Sequence, residues 1–264
     1  MEYLNQLILT VINFEQLVIF FNKIPVEITW LFFIFFCFTS ILVFLKLFGE
    51  LGLYIYTVIA IIGANIQVLK IVEFSFFSAP VALGTILFAS TFLCTDILSE
   101  YYGKEKAKKN VIIGFVGFLF MTSILLFTLG FKPLNSGLIE EDYLWALEIE
   151  NSLLTIFLPM PSFFLASMLA YLISQYFDIW LFSALSKFTK HKYLWFRNNL
   201  STLISSLLDN TIFSIFAFII FSSAPLSFNV VVFTYIFGTY ILRVIISVLD
   251  TPFIYISRYF IKDN

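Results

Sequence analysis

Charge is scarce in this 264-residue chain: Asp, Glu, Lys and Arg make up 12% of it, about half the usual share of roughly 25% in soluble domains. Histidine occurs once, at His191, and cysteine twice, at Cys37 and Cys94. A single loop histidine cannot support a His-based site in a membrane. Two cysteines in separate apolar runs build neither a disulfide framework nor a metal cluster, so no cofactor or metal is expected. No G-x-x-x-x-G-K-[ST] segment occurs, which excludes ATP binding in a P-loop. Neither H-E-x-x-H nor G-x-S-x-G occurs, which disfavours an enzyme. The net charge of −2 gives no reason to expect a nucleic-acid partner. No basic stretch precedes an apolar one at the N-terminus, so a cleaved signal peptide is not expected. Low-complexity segments and a convincing internal repeat are also missing, the latter being the mark of inverted-repeat transporters.

What the chain has instead is apolar bulk. Hydrophobic residues make up 61%, with 36 phenylalanines, and the mean hydropathy is +0.99. Such a chain is a polytopic membrane protein, and its length suits six or seven spans of about 20 residues. Apolar runs at 28–48, 50–70, 77–101, 110–131, 153–185, 199–222 and 227–258 read as seven helices. Pro159 and Pro161 at the head of the fifth predict a break there. Before the first run, Leu4, Leu7, Ile8, Val11 and Val18 fall on one side of a helix and Asn5, Gln6, Asn13 and Gln16 on another. That pattern predicts an interfacial amphipathic helix over residues 3–24. The expected fold is an all-α polytopic membrane protein, a bundle of six to seven transmembrane helices. Residues 1–264 form one transmembrane transport domain, with 1–26 as its N-terminal segment.

Loop charge predicts the orientation. The 102–109 loop carries Lys104, Lys106, Lys108 and Lys109, and the 186–198 loop carries Lys187, Lys190, Lys192 and Arg197. Lys and Arg are retained on the cytoplasmic side during insertion, so both loops are assigned there. The intervening 132–150 segment carries Glu140, Glu141, Asp142, Glu148 and Glu150 against Lys132, and is assigned outside. Arg258, Lys262 and Lys46 then fall inside and the N-terminus outside.

Several charges lie within or at the edge of these spans: Asp96, Glu100, Asp178, Asp209, Asp250 and Arg243. A central charge costs about 2.5–3.5 kcal/mol on the insertion scale, which the apolar residues of one helix can offset. Such charges should face the bundle interior, and an intramembrane ionisable group usually has a function. Asp96 and Glu100 share one helix face at i and i+4. The clearest polar stripe is Asn198, Thr202, Ser205 and Asp209, with Asn199, Ser206 and Asn210 beside it. Hydrogen bonding between helices explains the small polar residues, whereas Asp209 with Asn210 suggests binding. Arg243 has Asp250 two turns away and is a candidate partner for that residue, for Asp209 or for Asp96. Asn65 and Gln67 are amides at the end of the second span; they suit the edge of a nucleobase or the capping of their own helix. Asp178 reads as a cap on the cytoplasmic end of the fifth span, and His191 as solvated. Tyr54, Tyr56 and Phe88 are candidates to stack on a flat ligand.

Three segments carry a family resemblance: Ala64-Asn-Ile-Gln-Val-Leu-Lys70, Thr95-Asp-Ile-Leu-Ser-Glu-Tyr-Tyr-Gly-Lys104, and Arg197-Asn-Asn-Leu-Ser-Thr202 continuing to Asp209. Val248-Leu-Asp-Thr-Pro-Phe253 fits as well. Together they resemble the queuosine precursor transporters, also described as putative vitamin uptake transporters, over residues 28 to 260. The chain departs from the family pattern at Gly84-Thr85, where the pattern has Gly-Asn, and at Ser205-Ser206, where it has Ser-Gln. The resemblance implies a multi-pass importer in the bacterial inner membrane, carrying queuine or a cyano- or aminomethyl-deazaguanine precursor. It also implies a fold akin to the substrate-binding subunits of energy-coupling-factor transporters. One carboxylate can accept both the exocyclic amine and the ring N–H of a deazaguanine, and an amide can read its carbonyl edge. Candidate substrate-binding residues are therefore Asn65, Gln67, Asp96, Glu100, Asn199, Ser206, Asp209, Asn210 and Arg243. Expected partners are this small molecule and the lipid bilayer, with a homo-oligomer left open. A secondary transporter and a subunit served by a separate ATPase complex are the two modes in contention.

Overall fold

The computed structural model describes residues 14–75, 81–134, 143–157, 160–222 and 224–261. Expectations that rest on residues 3–13, Glu140, Glu141, Asp142, Pro159 and Lys262 lie outside the described residues. The first helix, α1 (Phe14–Lys23), has no buried residue, with Glu15 in its first turn and Lys23 in its last. That placement complements the helix dipole at both ends.

The helices α2 (Val26–Phe48) and α3 (Glu50–Gln67) are joined by one residue, Gly49, at φ +61°. Glycine adopts that left-handed conformation without a Cβ penalty. The hairpin closes tightly above it: a Cβ on Gly52 would lie 2.1 Å from the Phe44 carbonyl oxygen, so any side chain there would force the two backbones apart. After α3, Ile71–Val72 and Val81–Ala82 pair antiparallel as two-residue strands β1 and β2. The chain then enters α4 (Thr85–Ile97), which widens into a π-helical turn over Leu98–Tyr102. A second one-residue link, Gly103 at φ +91°, leads into α5 (Lys104–Gly130).

Next come α6 (Leu144–Phe157) and α7 (Met160–Phe188). Pro161 is the second residue of α7, where a helix tolerates proline. The last two helices are α8 (Leu194–Ile220) and α9 (Phe228–Phe260). The first ends in a π-helical turn at Phe216–Ile220, and the second contains one at Val231–Phe237.

Among the described residues six helices are long and apolar enough to cross a membrane: α2, α3, α5, α7 over Phe164–Phe188, α8 and α9. The expected third span is the exception. Residues 81–82 are spent on strand pairing, so the helix starts only at Thr85. Over Thr85–Leu98 every residue is buried except Leu87. Packed against α2, α3, α5, α7, α8 and α9, α4 has no lipid face to supply with apolar side chains. Outward-facing positions elsewhere carry the phenylalanines, such as Phe32, Phe36, Phe120 and Phe127, all at least 66% exposed, as a bilayer-facing surface requires.

Side-chain contacts gather several helix ends at one end of the bundle. Lys106 pairs with Glu50 at 2.7 Å, and Arg197 pairs with Glu100. The Tyr101 hydroxyl donates to the Ile254 carbonyl at 3.0 Å, and Lys46 sits 5.8 Å from the Phe260 ring centroid. The 102–109 and 186–198 loops thus share that end, as two intervening membrane crossings demand.

Candidate functional site

A cavity of about 460 Å³ lies toward the other end, between α3, α4, α7, α8 and α9. Its size falls within the usual range for a small-molecule site, roughly 300–1,000 Å³. Its wall is mainly apolar, with Ala64, Val68, Leu69, Phe88, Ala170 and Phe213 among the lining residues. Gly84 shapes the floor: a Cβ there would lie 2.6 Å from the Ala64 carbonyl oxygen. Only glycine lets the start of α4 meet the end of α3 this closely.

A few polar side chains converge on this cavity. Asp209 Oδ2 accepts a hydrogen bond from Arg243 Nη1 at 2.6 Å, and Asp209 Oδ1 accepts one from Ser174 Oγ at 3.0 Å. The side chains of Arg243 and Asp209 are 9% and 2% exposed. The Arg243 guanidinium carbon lies 5.3 Å from the Phe88 ring centroid, a cation–π distance. Each carboxylate oxygen can accept two bonds, so Asp209 keeps acceptor capacity beyond these contacts. Asn210 Nδ2 donates to the Ile236 carbonyl at 3.2 Å and to Thr239 Oγ1 at 2.9 Å. Across the cavity, Asn65 Nδ2 donates to the Ile61 carbonyl and its Oδ1 accepts from Ser167 Oγ, both at 2.9 Å.

Four of the nine candidate residues therefore meet at this cavity: Asn65, Asp209, Asn210 and Arg243. The other five lie elsewhere. Gln67 ends α3 half-buried, with a buried Oε1 that has no partner among the described residues. Asn199 donates to the Trp195 carbonyl at 2.8 Å and to Thr251 Oγ1 at 2.7 Å, tying α8 to α9. Ser206 turns back on its own helix and donates to the Leu203 carbonyl at 3.2 Å. Glu100 is paired with Arg197, whose guanidinium carbon sits 5.4 Å from the Phe182 ring centroid. Asp96 accepts from Thr202 Oγ1 at 3.2 Å, away from the cavity.

Of the expected stacking aromatics, Phe88 lines the cavity. The Tyr56 hydroxyl is 2.8 Å from Ser90 Oγ, and Tyr54 lies under Lys109 at 6.0 Å. Asp178 is not a helix-end cap: α7 runs on to Phe188, and Asp178 is buried within it, accepting from Ser205 Oγ at 2.7 Å. Exposed His191 has its Nδ1 3.0 Å from Ser186 Oγ. Sequence reasoning missed the share of α7. Ser167 and Ser174, seven residues apart, lie on one helix face and bond Asn65 and Asp209, yet an apolar background hid them.

Comparisons with known proteins agree on a family. The model of the family described as "putative vitamin uptake transporter" matches residues 82–257. A protein of Bacillus subtilis (strain 168) named "probable queuosine precursor transporter" is 32% identical over 236 residues, covering 89% of this chain and 96% of that protein. No solved structure matches.

Proposed function

This chain belongs to the putative vitamin uptake transporter family and is a multi-pass membrane transporter, not an enzyme; from that premise we propose that it imports a queuosine precursor. The substrate is queuine or a cyano- or aminomethyl-deazaguanine, moved as a secondary transporter across the bacterial inner membrane. The observation that carries this reading is Asp209, a nearly buried carboxylate on the wall of a cavity of small-molecule size. A deazaguanine presents its exocyclic amine and ring N–H side by side, and a carboxylate accepts both. Asn65 lines the same cavity with one amide N–H still to give to the carbonyl edge, while Asn210, with both amide N–H groups given to α9, offers its Oδ1 to a donor. A ligand lacking those groups would leave buried polar atoms unpaired, which a polar site rejects strongly.

Direct binding of a panel of deazaguanines and vitamins to the purified protein tests the substrate. Saturable binding of a deazaguanine, and not of the vitamins, is expected; the reverse order would overturn the assignment. Uptake into liposomes containing this protein alone tests the mode. Accumulation without any added ATPase complex is expected, and strict dependence on one would make the chain a binding subunit instead.

The orientation follows from loop charge. With Cys37 and Cys94 replaced, both buried, single cysteines are placed at position 106 or 141. A membrane-impermeant thiol reagent added outside should label the Glu141→Cys protein and spare the Lys106→Cys protein. The opposite pattern would invert the topology.

A further inference from the structure

A second polar cluster lies inside the bundle, apart from the cavity. Asp96 on α4, Asp178 on α7 and Asp250 on α9 are each at most 1% exposed. Each has one oxygen held by a neutral donor: Thr202 Oγ1 at 3.2 Å, Ser205 Oγ at 2.7 Å and Asn198 Nδ2 at 2.8 Å respectively. The second oxygen of each carboxyl is buried without a partner among the described residues, and so is Asn198 Oδ1. All four of these atoms are acceptors when the acids are ionised. Their donors Asn198, Thr202 and Ser205 follow one another at intervals of four and three residues on one face of α8, which sets the three carboxyls side by side, with Asp96 next to Asp178 and Asp250.

Among the described residues no cation is paired with them. Arg197, from α8, is paired with Glu100, and Arg243, from α9, with Asp209. Lys109, from α5, is drawn over Tyr54 of α3. Cys94 of α4, Cys37 of α2 and Tyr56 of α3 are the neighbouring titratable groups; all three are neutral in their protonated forms. Three unbalanced buried carboxylates are not sustainable in a low-dielectric interior. Two neighbouring buried carboxyls are relieved of their mutual repulsion when one of them carries a proton, which also gives the other a donor.

We infer that this cluster is the coupling site: Asp96 and Asp178 share a proton, which is taken from water on one side of the membrane and released on the other as substrate crosses. No covalent bond other than O–H changes. The inference rests on the reading of the chain as a secondary transporter. The link to the cavity is built into one helix pair. On α7, Ser174 bonds Asp209 at the cavity and Asp178 lies one turn further on; on α8, Ser205 bonds Asp178 and Asp209 lies one turn further on. A slide of α7 along α8 therefore changes both contacts together.

Two measurements test the cluster. Infrared spectroscopy of the purified protein near neutral pH should show the carbonyl stretch of a protonated buried carboxyl. That band should shrink in Asp96→Asn and in Asp178→Asn. Its absence from the wild-type protein, or its persistence in both variants, would overturn the inference, and neither readout requires substrate. In liposomes, a gradient of one pH unit is worth about 1.4 kcal/mol per proton and supports about tenfold accumulation. Asp178→Asn should lose that accumulation yet keep exchange of labelled for unlabelled deazaguanine. Retained proton-driven accumulation, or wild-type accumulation driven by sodium instead, would overturn it. Failure of the wild-type protein to exchange deazaguanine at all would strike the substrate assignment and leave the infrared result standing on its own.

Discussion

Asp209→Asn should weaken deazaguanine binding at least about tenfold, or about 1.4 kcal/mol. Asn keeps the shape of the side chain but replaces one acceptor oxygen with a donor amine. That amine would oppose a donor on the base, so the loss should exceed that of one neutral hydrogen bond. Ser205→Ala, which removes a donor to Asp178 and not to the cavity, should affect affinity less. Because Asp209 also neutralises Arg243 at 2.6 Å, the same substitution should lower the melting temperature. The double variant Asp209→Asn with Arg243→Met removes both charges and should recover most of that loss, while affinity stays low. Unchanged affinity with a lowered melting temperature in Asp209→Asn would reduce this residue to a structural partner of Arg243.

Glu100→Gln should be the most destabilising single change in the charged interior, at about 3–5 kcal/mol, the usual effect of stranding one member of a buried pair. The asymmetry of the pair sets the order of effects. Arg197 is 1% exposed and Glu100 is 21% exposed. Removing Glu100 leaves a fully buried guanidinium whose Nε and Nη1 already have no partner among the described residues. Removing Arg197 leaves a carboxylate that water can reach. Arg197→Met should therefore lower the melting temperature less than Glu100→Gln, and the double variant should restore part of the loss. Equal effects of the two single changes would show that the exposure difference does not govern the pair.

The fold class, the bundle and the inward-facing stripe were legible because each rests on a periodicity within one helix. Asn198, Thr202, Ser205 and Asp209 are all buried, as their spacing requires. The pairing of Arg243 with Asp209 was also within reach, since a buried arginine needs a carboxylate. What spacing could not reveal is depth along the bundle. Asn198 belongs with Asp250, Thr202 with Asp96, Ser205 with Asp178 and Asp209 with Arg243. One stripe thus serves two separate places, and only the partner helices say where one ends and the other begins. The same gap explains Asp96 and Glu100, which share a face with each other and not with the cavity. The length of α4 was hidden because an apolar run reads alike in a lipid-facing span and in a helix buried on every side. Only its neighbours distinguish the two.

The central position of α4 also has a consequence in time. Its Glu100 is made roughly a hundred residues before Arg197, and at about 5–20 residues per second the partner is roughly 5–20 s behind. Asp96 waits for Thr202 on the same helix as Arg197. During that interval the helix carries two acids and several hydroxyls, and it is not among the helices apolar enough to hold a membrane position on their own. The chain must therefore be assembled out of order. The strongly apolar helices made before α8 can hold their places early, and the helix at the centre is expected to find its own only once α8 has been made.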